Sequence, residues 1–260
     1  MPTPRVLLLG ATGGCGSQAL VRLLARQVPV IAIVRSDSRL PAAAKGHALL
    51  TVVVAPAGHL ALGDAELEEH MRGVDVVVSC LGHNLSFKGM YGAPRMLCVE
   101  TCRRVCDVAR LMRPPSPIRL IVVSTEGVSR PDGADPPRSL AERLVIGLLW
   151  LLLPPMADNV RVVDYLHHEA RANEHVEFCA PRPSDMRDGE ACAFATHSTL
   201  QNGLFNAGAT TRANVGEFMA DLVTEPATWR KWKNSFPHVL DALHSVTPNY
   251  GRISIGRRRG

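Results

Sequence analysis

The sequence predicts an α/β fold: a doubly wound parallel sheet in a single domain, with an elaborated C-terminal substrate region. Three observations lead there. Short aliphatic runs alternate with helical patterns through the first half of the chain, the order expected when parallel strands are joined by right-handed helical crossovers. The first run leads straight into glycines at three-residue spacing, Gly10, Gly13 and Gly16. Hydrophobic residues make up 46% of the 260 residues and aromatics only 5%, the balance of a sheet buried on both faces. A chain of this length can bury its core as one unit. We divide it into a core over residues 4–183, a substrate or cap region over 184–250 and a basic tail over 251–260.

In chain order, Arg5–Leu9 reads as the first strand and Ser17–Arg26 as a helix with Leu20, Leu23 and Leu24 on one face. Val30–Val34 is a second buried strand, residues 36–47 a loop or short helix, and Leu50–Val54 a third strand. Asp64 is placed to cap a helix running to Arg72, and Val74–Cys80 is a fourth strand that Gly82 ends. A glycine-rich loop, His83–Pro94, leads to a long helix reaching Met112. Three prolines in Arg113–Pro117 break the chain before a fifth strand, Ile118–Val123. Residues 127–138 read as loop. A helix over 139–153 is ended by Pro154 and Pro155, and Asp158 is placed to cap another reaching Asn173. Val176–Ala180 is the sixth strand. Residues 184–212 show no period, Asn214–Val223 reads as a helix and Thr228–Lys233 as a short one.

The net charge of +5 and pI near 9.0 favour anionic ligands. With no basic stripe and few aromatics for stacking, nucleic acid is not an expected partner. The arginines Arg257, Arg258 and Arg259 read as a disordered end. Seven cysteines are irregularly spaced, and Cys98, Cys102 and Cys106 share one helix face, which suits packing better than a disulfide or a metal. No metal site is read. Free thiols and the lack of a signal-like segment point to a reducing, cytoplasmic setting. The apolar run Leu144–Leu153 is too short to span a bilayer. It reads as a buried or docking helix, with membrane-surface contact or dimer formation as alternatives, and the oligomeric state is open.

The chemistry concentrates in Gly10-Ala11-Thr12-Gly13-Gly14-Cys15-Gly16, which follows a strand and opens a helix. A tight turn needs positive φ, a pyrophosphate needs bare backbone, and close helix–strand packing needs a missing Cβ. The helix start adds free N–H groups and the positive end of its dipole. Gly10, Thr12, Gly13, Gly14, Cys15 and Gly16 are therefore read as a dinucleotide loop. The second strand ends Val34-Arg35-Ser36. A carboxylate there would hydrogen-bond a ribose diol and select NAD, whereas arginine pairs with a 2′-phosphate. The expected cofactor is NADP(H) in preference to NAD(H), with Arg35, Ser36 and Arg39 at its adenosine end. Gly82, after the fourth strand, allows the chain to pass close to its ribose and phosphates.

These residues, together with VDVVVSCLG (74–82) and LIVVSTEG (120–127), resemble the atypical short-chain dehydrogenases/reductases. The likeness is to their NAD(P)-binding, NmrA-like and flavin- and biliverdin-reductase-like members. Ala180-Pro181-Arg182-Pro183 is similar to the V-R-P stretch after their sixth strand, and Thr211–Met219 to a helix start common among them. The resemblance covers nearly the whole chain and implies a Rossmann-type fold and a small-molecule substrate. It puts the GxxGxxG glycines on Gly10, Gly13 and Gly16, the NADP-selecting arginine on Arg35, the cofactor loop after strand four on Leu81 and Gly82, and a substrate-polarising hydroxyl on Ser124 and Thr125, with Ser124 also beside the cofactor.

One part of the pattern is broken. Conventional short-chain enzymes use Tyr-x-x-x-Lys as proton donor and ribose holder, but here Tyr165 is followed four residues later by Glu169. A carboxylate would raise the tyrosine's pKa, the wrong direction. Arg161, one turn earlier, can hold a ribose but cannot trade a proton at neutral pH. Tyr91 has no lysine at the right offset, and His83, Asn84, His167 and His168 are further proton sources. Two functions follow. One is an NADP(H)-dependent oxidoreductase without that pair, its substrate bounded by residues 83–92, 124–130 and 184–205. The other is a non-catalytic NADP(H)-sensing regulator of the NmrA-like type.

Overall fold

The computed structural model describes residues 3–83 and 86–242. The expectations placed on Asn84 and on the tail 251–260 lie outside the described residues. Strand β1 (Val6–Leu9) leads into helix α1 (Gly14–Ala25), followed by β2 (Val30–Val34), β3 (Leu50–Val54), α2 (Asp64–Met71) and β4 (Val76–Ser79). Next come a short helix α3 (Phe87–Tyr91), α4 (Leu97–Met112), β5 (Ile118–Val122), α5 (Leu140–Leu152), α6 (Pro154–His168) and β6 (Val176–Cys179). The remainder holds four short strands, β7 (Arg182–Pro183), β8 (Asp185–Arg187), β9 (Phe194–His197) and β10 (Ala209–Thr211), then α7 (Arg212–Thr224), α8 (Pro226–Trp232) and β11 (His238–Asp241).

Six strands form one all-parallel sheet in the order β3-β2-β1-β4-β5-β6, the Rossmann arrangement. Because side chains alternate along a strand, the sheet divides its own core. Leu7, Leu9, Ile31, Ile33, Val77 and Leu120 face a cluster with residues of α2, α4 and α6. Val6, Leu8, Val30, Ala32, Val76 and Ile121 face a second cluster built on α1, α7 and α8. That two-sided burial is why β1, β2 and β4 read as unbroken aliphatic runs. Strand β3 lies at the sheet edge and leaves Val52 and Val54 exposed.

Four expectations need correction. Residues 184–212 contain β8, β9 and β10, which pair in a two-stranded sheet (β10-β8) and a three-stranded one (β7-β11-β9). Pro154 and Pro155 do not merely end a helix: they open α6 as its first two residues, positions where the missing N–H costs nothing. Asp158 is therefore inside α6 and completely buried, not a cap on its own helix. Likewise Asp64 is the first helical residue of α2, with Gly63 as the cap.

Helix α5 begins with a capping box in which Ser139 and Glu142 satisfy each other's backbone N–H groups. Glu142 is also its single buried residue, while Leu140, Leu144, Leu148, Trp150, Leu151 and Leu152 are exposed. Among the described residues no single helix is long and apolar enough to cross a membrane.

Candidate functional site

The carboxyl ends of β1, β2, β3 and β4 open on a cleft of about 460 Å³, within the range of small-molecule sites. Its floor is Gly10, Thr12 and Gly13. One wall carries Arg35 and Arg39 and the segment Pro56–Leu60, and the other carries Cys80–His83 with residues of α3 and its flanks. No carboxylate is among the described residues that line it.

Gly10 turns the chain with φ +84°, and the Gly13 N–H donates back to its carbonyl at 2.9 Å. A Cβ at Gly10 would sit 2.6 Å from the Cys80 carbonyl oxygen, and one at Gly16 would overlap the Gly10 carbonyl. The glycines thus press α1 and β1 against β4 with no atom to spare. Helix α1 starts with no side-chain cap and no acidic residue in its first turn, so its leading N–H groups are unpaired by side chains, directly after the cleft-lining Gly13. That is the chemistry a phosphate needs, and a dinucleotide fits the cradle.

The expected site residues divide into two groups. Gly10, Thr12, Gly13, Arg35, Arg39, Leu81 and Gly82 come together as cleft lining. Gly14 and Gly16 support the loop from behind, and Ser36 sits exposed beside Arg35, its hydroxyl bonded to that of Ser38. Cys15 turns away, its thiol 3.4 Å from Met186 Sδ and pushed up to about 11, chiefly by burial.

The second half of the list is not gathered there. Tyr165 lies in the core between α6 and α4, packed with Val162, Val163 and Leu166 under the Arg103 guanidinium. Burial, with the neighbouring Cys106 thiol, drives its phenol far above the usual range. The cause is thus burial rather than Glu169, and the ring is outside the cleft lining. Arg161 is exposed on α6 against Met96 Sδ, also outside the lining. Thr125 folds its hydroxyl onto the Gly127 N–H. Ser124, at the end of β5, is buried with an Oγ that has no partner among the described residues. His167 and His168 stack edge to face at the end of α6, away from the lining.

Three features escaped the sequence reading. The segment Pro56–Leu60 walls the cleft simply because it follows the carboxyl end of β3, as the rule for open α/β sheets would have suggested. Arg212 lays its side chain across Gly14 and pairs with Asp188 at 2.8 Å. The third is a polar string, with no periodicity to betray it. The Gln201 N–H donates to His238 Nδ1, which leaves the proton on Nε2 to meet Ser184 Oγ at 2.9 Å, and Ser184 donates to Glu126 at 2.7 Å. The string ties the segment after β5 to β7 and β11 through the Ser184 hydroxyl.

His83 and Asp158 hold the second wall. Asp158 accepts the N–H groups of Cys98 and Val99 and so caps α4, which has no side-chain cap of its own. The same carboxylate meets His83 Nε2 at 2.8 Å, and His83 Nδ1 faces the Gly89 carbonyl at 3.2 Å. Both ring nitrogens face acceptors, which favours the imidazolium; the Asp158 hydrogen bond raises the His83 pKa above 6.5 against the opposing effect of burial. Cys98 completes a trio of potential metal ligands, but its thiol donates to the Leu81 carbonyl and the other two are engaged as described. The trio fastens a loop. A group whose pKa is raised on folding stabilises fully below its unfolded value and loses that contribution as pH rises through the folded one. Thermal unfolding of the wild type should therefore lose stability over that interval relative to His83→Gln; parallel pH curves for the two would refute the tie.

The NAD(P)H-binding family profile matches residues 10–226, from the glycine turn to the start of α8. The chain belongs to the NAD(P)H-binding family. Its cofactor is accordingly a nicotinamide dinucleotide. Solved structures share the fold at low identity. A protein from Lactobacillus casei superimposes with a TM-score of 0.68 at 21% identity, over 92% of this chain and 99% of that one. A Rossmann-fold NAD(P)-binding family protein from Shigella flexneri gives 0.63 at 16%, over 96% and 100%. ChuY, an anaerobillin reductase from Escherichia coli O157:H7, gives 0.62 at 20%, over 94% and 99%. No curated protein matches the sequence.

Proposed function

We propose that the protein is an NADPH-dependent reductase of a small organic acceptor, built as one domain on the Rossmann sheet. The observation that carries the cofactor choice is charge. Arg35 and Arg39 stand on the adenosine wall of the cleft, free of ion pairs among the described residues, and no described carboxylate lines the cleft to favour a ribose diol. Their guanidinium groups match a 2′-phosphate. The bound nicotinamide supplies hydride. The chain's part is to orient that ring beyond Gly82 toward Ser124 and to exclude water with the wall that carries His83, Gly89 and Pro94. Proton delivery does not run through Tyr165, which is buried elsewhere. Reductase chemistry in ChuY, a structural neighbour, supports this reading over a purely sensing role.

Two measurements test it. Arg35→Ala should weaken NADPH binding about 10- to 100-fold, the loss of one charge-assisted contact worth roughly 1.5–3 kcal/mol, and leave NADH nearly unchanged. Equal weakening of both would remove the 2′-phosphate assignment. Loss of nicotinamide absorbance against quinones, flavins and aldehydes tests turnover; tight NADPH binding with no acceptor reduced would favour the sensor.

A further inference from the structure

Helix α5 is built inside out. Its inward face carries Glu142, whose carboxylate accepts the Leu204 N–H and closes the capping box, while Leu140, Leu144, Leu148 and Leu151 recur at helical spacing on the open side. With Gly147 among them they form one apolar stripe. An amphipathic helix of a water-soluble fold ordinarily turns the other way, and an open apolar stripe of this kind marks an interaction surface.

The stripe continues onto the cleft wall. Tyr91 Oη donates to the Leu152 carbonyl at 3.1 Å, and its ring stacks on Phe87, 78% exposed, at 5.0 Å. Phe87 and Tyr91 belong to α3, whose Gly89 lines the cofactor cleft. Arginines mark both ends: Arg143 is exposed in the first turn of α5, and Arg95, also exposed, donates to the Tyr91 carbonyl. Between Arg143 and the buried Asp158 the sequence has no acidic residue.

We propose that the outer face of α5, continued by Phe87, docks the protein on an anionic lipid surface, and that the acceptor is a lipid-soluble molecule drawn from it. Charge selects this occupant over a second copy. Pairing two stripes, parallel or antiparallel, would set arginine ends against arginine ends, whereas anionic headgroups neutralise both. At about 20 Å the helix is too short to span a bilayer but suited to lie in its interface, with Trp150 at the edge of the stripe. The second clause rests on the reductase reading: the acceptor takes a hydride from the cofactor and a proton from water, and leaves with two more hydrogens as the cofactor leaves oxidised.

The test is sedimentation of the full chain with phosphatidylcholine–phosphatidylglycerol vesicles, against phosphatidylcholine alone. Binding should require the anionic lipid, weaken with salt and shift Trp150 emission to the blue, the other two tryptophans being buried. Arg143→Ala should weaken it about five-fold. The exposed triple variant Leu144→Ser/Leu148→Ser/Leu151→Ser should weaken it about a hundredfold while keeping NADPH affinity, which shows that it folds. No vesicle binding by the wild type overturns the docking, and a concentration-dependent dimer abolished by the triple variant would assign the face to a second copy instead. Turnover is read separately. Reduction of a water-soluble quinone with no vesicle response keeps the reductase and sinks the membrane; docking without any turnover does the reverse. A long-chain quinone in those vesicles should be reduced at least about tenfold faster by the wild type than by the triple variant; equal rates overturn the lipid-soluble acceptor.

Discussion

Gly16→Ala should abolish cofactor binding and unsettle α1, with a loss of about 3 kcal/mol in unfolding free energy and a rise of about a hundredfold or more in the NADPH dissociation constant. The reason is what the new methyl would strike. Its neighbours are the Gly10 carbonyl, the Gly10 carbonyl carbon at 2.7 Å and Ala11 Cα at 3.2 Å. All are backbone, and none can rotate aside. Relief would require α1 to move off β1, which disperses the N–H groups that face the phosphates. Gly14→Ala is the matched control. There the methyl meets Arg212 Cδ at 2.6 Å and Nε at 2.8 Å, the flexible run of a side chain whose partner Asp188 is exposed. It should bind NADPH within a few-fold of wild type. Thermal unfolding and fluorescence titration of the two variants give the comparison. Equal, small effects in both would mean that the turn is not the cofactor's cradle.

The contrast also shows what a sequence displays and what it hides. Glycines at 10, 13 and 16 were legible because each requirement is local: a turn, a close backbone approach, a helix start. The strands of the main sheet were legible because burial on both faces leaves no polar residue to interrupt them, as in Val30–Val34. What failed depended on partners far along the chain. Strands β7 to β10 have two to four residues each and pair with segments 24 to 56 residues away along the chain. Asp158 carries the right side chain for a cap, but the helix it caps is α4, 60 residues earlier. Tyr165 holds the chain position of a proton donor, yet the face of α6 it occupies is set by Val162, Val163 and Leu166, and that face meets α4. Helical spacing gives a shared face but not its direction; α5 shows the same in reverse, its leucines outward.

Asp135→Asn carries the largest expected cost to stability. Arg182, the arginine of the Pro-Arg-Pro stretch, is wholly buried, and Asp135 meets its guanidinium bidentately at 2.5 and 3.0 Å. The same carboxylate accepts the N–H groups of Arg130 and Leu200, and the guanidinium donates to the carbonyls of Val128 and Phe236. One pair therefore ties the loop after β5, β7, the segment at Leu200 and the approach to β11. Burial alone would raise the Asp135 pKa, but the Arg182 contact and the N–H donors outweigh it and hold the group below its ordinary 3.8. The sign follows from linkage: a depressed carboxylate stabilises above its unfolded value and loses that contribution as pH falls through the folded one. Acid unfolding should thus steepen below pH 3.8 in the wild type and not in Asp135→Asn. At neutral pH the variant leaves a buried guanidinium without a counter-charge, at a cost of about 3–5 kcal/mol, read from denaturant unfolding. Arg182→Met with Asp135→Leu removes both charges and should recover part of that loss, because a buried pair costs more to break than to replace. If the double variant is as unstable as Asp135→Asn, the penalty comes from the hydrogen bonds to the four segments and not from the stranded charge.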